Sequence, residues 1–189
     1  LDDLLREARR NQATQSRFDV LERKVIAAPS LAALVQVLLV EFKTLFELDA
    51  ITLALVDPHH EVARILGDGA DALPGGLLLP HDGQPLQQLY ASGARARLAT
   101  RAAAPDFLFA DLRTSLASVA LLPLVLRGSV IGSLNLGSRD ATRFVAGSSA
   151  DFLERLAALV AVCLDSALAT ERIKRSGLVD GLTAVHNRR

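Results

Sequence analysis

The chain has 189 residues, 50% of them hydrophobic and 22% charged, which suits one globular domain with additional helices and is too little for two full domains. Its 21 basic residues balance 21 acidic ones, so no global field draws it to a nucleic acid or an anionic membrane, and neither is expected as a partner. One cysteine, Cys163, excludes an internal disulfide framework and most thiolate metal sites, and suits the cytoplasm.

The longest uncharged apolar runs, Leu116 to Leu126 and Leu156 to Leu164, fall far short of the roughly 20 residues that span a bilayer. No signal-peptide pattern opens the chain. Leu1 comes first and methionine is absent, which predicts a piece of a longer protein, with a membrane segment upstream left open.

Residues 1–28 place Leu4, Leu5, Ala8, Phe18, Leu21 and Val25 at a helical period with a polar middle. Pro29 breaks that helix and Ser30 is the N-cap of the next, in which Leu31, Leu34, Val35, Leu38, Phe42, Leu45 and Phe46 recur at helical spacing. From Ala50 the pattern changes to short apolar runs: Ala50 to Val56, the turn Asp57-Pro58, then Val62 to Leu66, which reads as a hairpin. Glycines between Gly67 and Gly76 mark a loop before Leu77 to Leu79. Gln84 to Ala91 reads as a short helix closed by Gly93, and Ala104 to Thr114 as a loop or short helix. Ser118 to Leu126 and Ser129 to Leu136 are the clearest strand pair, joined at Arg127-Gly128 where glycine supplies a positive φ. Ser148 opens a last helix that is apolar from Phe152 to Leu168 on more than one face. Ser176 and Gly177 interrupt the charged stretch that follows, which predicts a boundary there.

Leu122-Pro123-Leu124, Gly128, Ile131-Gly132, Leu134 and Leu136 resemble the closing hairpin of GAF domains, and with the element order the resemblance covers about residues 30 to 168. In a sheet, Pro123 belongs at an edge or bulge, and Gly132 admits a close approach by a neighbouring group. Leu136 to Asp140, Arg143-Phe144 and Asp151-Phe152-Leu153 look more specifically like a GAF-related bacterial family of unassigned function. The resemblance implies an α+β fold, a GAF-like antiparallel sheet with helices packed on one side and long N- and C-terminal helices. The last ten residues resemble the opening motif of GGDEF domains through Asp180, Leu182, Thr183, Asn187, Arg188 and Arg189. The implied organisation is an N-terminal helix over 1–28, a sensor domain over 29–168, a signalling-helix linker over 169–177 and the start of a GGDEF domain over 178–189. The GGDEF signature itself is absent, so the resemblance implies a non-catalytic fragment of a diguanylate cyclase that makes cyclic di-GMP from GTP, with Mg and GTP held only by the missing cyclase domain.

Candidate sites compete with plainer readings. His59-His60 follow a turn without a suitably spaced third ligand, His81 beside Asp82 reads as a loop contact, and mid-helix Cys163 reads as packing, so no metal or other cofactor is expected in this fragment. The glycines of Gly67 to Gly76 lack the Lys-Ser/Thr ending of a phosphate loop. A small-molecule ligand, by the resemblance, lies between the sheet and the segment Leu77 to Ser118, against Tyr90, Phe107, Phe109, Arg113, Ser115 and Ser118, with Asn135 on the opposing strand. Plain core packing of the two phenylalanines is the equal alternative. A homodimer is expected through the last helix, with Phe152, Leu156, Leu159, Cys163, Leu164 and Ile173 as its contact or signalling residues. The competing function is a ligand-free dimerisation spacer that sets the geometry of an output domain. A standalone enzyme would require a cysteine pair or a cluster of His and carboxylates, and neither is found.

Overall fold

The fold is seen in a computed structural model, which describes residues 2–67, 75–110, 115–145 and 150–183, and side chains over 12–67, 75–110, 115–145 and 150–176. Helix α1 spans Asp2–Ala27. Pro29 ends it, and Ser30 Oγ accepts the Ala33 N–H at 3.2 Å to cap α2, Leu31–Gln36, as its position predicts. A π-turn over Val37–Glu41 carries the helix into α3, Phe42–Leu45, so that Val37, Leu38 and Leu39 are buried in succession.

Five strands form one sheet in the order β2-β1-β5-β4-β3. They are β1 Ala50–Leu55, β2 Leu77–Leu78, β3 Arg97–Thr100, β4 Ser118–Leu126 and β5 Ser129–Ser138. The α+β class is as expected, with one correction: the β1–β2 pair is parallel, and only the other three pairs are antiparallel. The cause lies between those two strands. Val62 to Leu66 does not return as the second strand of a hairpin but belongs to helix α4, Glu61–Gly67, so the chain crosses over and re-enters the sheet in the same direction. Asp57 drives this choice. Its Oδ1 accepts the N–H groups of Glu61 (2.7 Å) and Val62 (3.2 Å), and its Oδ2 that of Ala63 (3.0 Å), which satisfies three donors that a nascent helix otherwise leaves bare. Asp57 is itself buried, so Asp57→Ala is expected to cost about 2 kcal/mol, with Asp57→Asn recovering part of it, read from thermal unfolding midpoints.

The β4–β5 hairpin turns on Arg127 (φ 51°) and Gly128 (φ 81°), the doubly left-handed turn whose twist matches that of the flanking strands. Strand β3 ends at the Arg97–Leu121 pair, before Pro123 is reached, and a register shift follows at Leu124/Val125. The proline therefore sits where its missing donor is harmless. Helix α6 runs over Ala150–Thr183, continuing through Ser176-Gly177, because one glycine costs a helix interior only about 1 kcal/mol and no proline follows it. The expected cap Ser148 lies outside the described residues.

Strand alternation sorts the sheet into two faces. Ile51, Leu53, Leu55, Ala120, Leu122, Leu124, Leu134 and Leu136 join one core with α1, α2, α3, α4 and α6. Ala54, Val119 and Leu121 face the other way, under helix α5 (Gln84–Leu89) and the 3₁₀ turns Arg101–Ala103 and Asp106–Leu108. The long helices thus share one side, and the short elements close the other.

Candidate functional site

The second face is built around small and polar residues at its centre. Cross-strand partners on β1 and β5 are Ala50 with Gly137, Thr52 with Asn135, and Ala54 with Ser133. Small side chains leave room above the sheet, and Leu86, Tyr90, Leu108 and Phe109 fill it, each almost wholly buried.

A chain of hydrogen bonds crosses this layer. Ser133 Oγ donates to Asn135 Oδ1 at 2.6 Å, and because a hydroxyl has one proton, the 2.6 Å contact between Tyr90 Oη and Ser133 Oγ has tyrosine as donor. Asn135 Nδ2 donates to Thr52 Oγ1 at 3.1 Å, and Thr52 Oγ1 donates in turn to the Leu108 carbonyl at 2.8 Å. The sequence of donors is therefore Tyr90, Ser133, Asn135, Thr52, ending on the main chain of a 3₁₀ turn. Every member is buried, and among the described residues no buried side-chain polar atom lacks a partner. The one ionisable member is Tyr90, whose phenol burial pushes up to about 12. The arrangement holds no base poised near neutral pH; it offers neutral donors and acceptors beside apolar walls.

Tyr90 is the only tyrosine and tryptophan is absent, so phenolate absorbance reports this site alone. The native transition is expected at about pH 12, and in denaturant at about 10. Since the folded value lies above the unfolded one, Tyr90 contributes its full share of stability below about pH 10 and loses it as pH climbs towards 12. Alkaline titration of native and denatured protein checks this, and a native transition near 10 would mean an exposed ring.

Of the residues expected to line a ligand, Tyr90, Phe109 and Asn135 do come together. Arg101 adds a guanidinium 5.3 Å from the centre of the Phe109 ring. Ser118 is buried but elsewhere, donating to the Asp140 carbonyl at 2.5 Å. Phe107, 41% exposed, turns away from the layer, Ser115 is exposed, and Arg113 lies outside the described residues. Ser133 and Thr52 were not anticipated; the alternation Ser133-Leu134-Asn135-Leu136 carried the signal, since two polar residues share the face that two leucines leave.

The last helix corrects a second expectation. Leu156 and Leu164, expected at a dimer contact, are 0% and 1% exposed within the protomer's own core. They face the sheet because α6 must cover the β4 leucines. Phe152, Leu159 and Cys163 are half-buried against that core, and burial pushes the Cys163 thiol up, away from thiolate chemistry. Among the described residues, the large apolar side chains that α6 exposes are Val162 at 58% and Ile173 at 73%. Among the described residues, ion pairs tie the helix to other elements at three points. Arg95 forks onto Glu154 with two 3.2 Å bonds, Arg155 meets Glu22 of α1 at 3.0 Å, and Arg172 forks onto Glu61 of α4 with two 2.6 Å bonds. The Arg172 guanidinium holds the Glu61 carboxyl below the usual carboxylate range, and Arg95 does the same for Glu154.

Residues 1–167 match the family described as proteins of unknown function, DUF484. The chain belongs to that family. Helix α1 lies within the DUF484 match, so the family's unit reaches further towards the N-terminus than the GAF-like resemblance alone. No curated protein matches the chain. In shape it is similar to the GAF domain of a phosphoenolpyruvate-protein phosphotransferase from Coxiella burnetii, at 18% identity and a TM-score of 0.61, covering 85% of this chain and 98% of that one. The GAF domain of the Acinetobacter phosphoenolpyruvate-protein phosphotransferase is similar at 14% identity and a TM-score of 0.58, with 82% and 95% covered. The chromophore-binding domain of a bacteriophytochrome from R. palustris follows the same fold at 12% identity and a TM-score of 0.56, with 85% and 63% covered. At these identities the likeness is one of fold: this DUF484 chain has the GAF architecture. Among the described residues no helix is long and apolar enough to cross a membrane.

Proposed function

We propose that this chain is a regulatory module that pairs with a second copy of itself along α6 and passes a change in that pair to an output domain beyond it. The observation that carries this reading is the double character of α6. Its first half supplies Leu153, Leu156, Ala157, Val160, Ala161 and Leu164 to the core, while its exposed side carries Ala158, Val162, Ala169 and Ile173, which at 3.6 residues per turn fall within an arc of about 60°. A rigid element that is both core and exit moves whenever the core repacks. Ile26, 64% exposed at the end of α1, borders the cleft that α6 lines with Ser166 and Thr170 and widens the same apolar strip.

The resemblance of Asp180, Leu182, Thr183, Asn187, Arg188 and Arg189 to the opening of a GGDEF domain supports a diguanylate cyclase as the output, with Mg and GTP held by residues past Arg189 and the work done in the cytoplasm. Asn187 to Arg189 lie outside the described residues. Sensing falls to the Tyr90 face, where a small neutral ligand exchanges its hydrogen bonds with those of Tyr90 and Asn135. A ligand-free spacer is the second reading, and one observation favours it: the chain of donors from Tyr90 to Leu108 is already complete.

Light scattering over a wide concentration range tests the pairing. The wild type is expected to run as a dimer, and Val162→Glu or Ile173→Glu, each on an exposed position, as a folded monomer. A wild-type monomer at all concentrations, or a dimer indifferent to both substitutions, would overturn the reading.

A further inference from the structure

On the opposite side of the sheet from Tyr90, five of the seven phenylalanines, Phe18, Phe42, Phe46, Phe144 and Phe152, gather where α1, α3 and the start of α6 meet. Four of the rings are in contact, with centroids 4.7 Å apart for Phe18 and Phe46, 5.0 Å for Phe42 and Phe46, and 5.5 Å for Phe18 and Phe152. They do not close on one another completely. A cleft of about 190 Å³ remains, walled by Phe18, Phe42, Phe46, Phe144 and three leucines. The cleft is open on one side, a concavity in the surface with apolar side chains at its base, the kind of site that small molecules enter.

The mouth of the cleft has a different chemistry from its walls. Its lining residues that are not buried are Thr14, Arg17 and Arg143. Arg143 is committed: its guanidinium donates to the carbonyls of Phe46 and Glu47 and lies 5.7 Å from the Phe144 ring centre, bracing the wall. Arg17 is exposed and has no ion-pair partner among the described residues. An aromatic slot with the Arg17 guanidinium at its rim matches a molecule with a flat apolar body and one anionic end. A neutral aromatic would leave the Arg17 guanidinium unused.

We propose that this cleft binds a small aromatic monocarboxylate, its ring held among Phe18, Phe42, Phe46 and Phe144 and its carboxylate on Arg17. The site is separate from the Tyr90 face and goes beyond the regulatory reading. A ligand there bridges α1, α3 and α6, so filling the cleft stiffens the helices that carry the exposed strip.

Phenylacetate is the probe, titrated into the full 189-residue chain labelled with fluorophenylalanine, with phenylethanol as its neutral counterpart. Saturable binding is expected, with fluorine shifts at Phe46 and Phe144 and none at Phe107 or Phe109. Affinity is expected to fall about tenfold for phenylethanol and for the surface substitution Arg17→Gln. Leu48→Phe, which fills the cleft, is expected to abolish binding with the fold retained. Absence of saturable binding at millimolar phenylacetate, equal affinity in Arg17→Gln, or shifts confined to Phe107 and Phe109 would overturn the proposal; the last would place the ligand on the Tyr90 face and leave the regulatory reading standing.

Discussion

Leu156→Glu is expected to unfold the protomer, not to split a pair of protomers. Leu156 is fully buried, in a core shared by the sheet and the helices beside α6. Removing the leucine forfeits about 2–3 kcal/mol of burial, and an unpaired carboxylate placed there adds several more. The sum approaches the whole stability of an ordinary domain, about 5–15 kcal/mol. The expected result is loss of a cooperative thermal transition and of near-ultraviolet dichroism, with the same outcome for Leu164→Glu, which is 1% exposed. Val162→Glu, at a position 58% exposed, is the control that keeps its transition. A folded, cooperative Leu156→Glu would mean that α6 does not cover the sheet as described.

Gly132→Ala is expected to cost about 3 kcal/mol, far more than an alanine added to a strand ordinarily would. The added Cβ would stand 2.4 Å from the Ala54 carbonyl oxygen and 3.0 Å from Leu55 Cδ2. The carbonyl belongs to the backbone of β1, so relief requires β1 and β5 to part at the centre of the sheet. Gly128→Ala is the informative comparison. That position has φ 81° and nothing within 4 Å of a Cβ, so only left-handed strain of about 1–2 kcal/mol applies. Denaturant midpoints of the two variants separate close approach from turn strain, and hydrogen exchange of β1 amides is expected to rise only in Gly132→Ala.

Those two glycines also show what the sequence made legible. Arg127-Gly128 between two β-rich runs can hardly be anything but a tight hairpin, and Ile131-Gly132 announced a close approach before its partner was known. Ser30 as a cap follows equally from local chemistry, whereas Tyr90 with Asn135 as neighbours is what the resemblance to GAF domains implies. The errors arose where two periods fit one segment. Val62, Ile65 and Leu66 suit a short helix as well as a strand, and the decision was made by Asp57, whose carboxylate reaches the N–H groups of residues 61 to 63. Strand β3 was missed because Arg97-Leu98-Ala99-Thr100 is half-exposed at a sheet edge and has little apolar pattern. Leu156 and Leu164 as contact residues are corrected for a related reason. A helix apolar over a wide arc does not say which arc meets its own sheet, and only the placement of α6 against β4 assigns Leu156 and Leu164 inward and Val162 and Ile173 outward.

The most direct test of the paired-helix account is a spin-label distance between two copies, made in Cys163→Ala with Ala169→Cys labelled on the exposed side of α6. A single narrow interprotomer distance that disappears when Val162→Glu is added is the expected result. Absence of dipolar modulation in the wild-type background, or modulation that survives Val162→Glu unchanged, would contradict it.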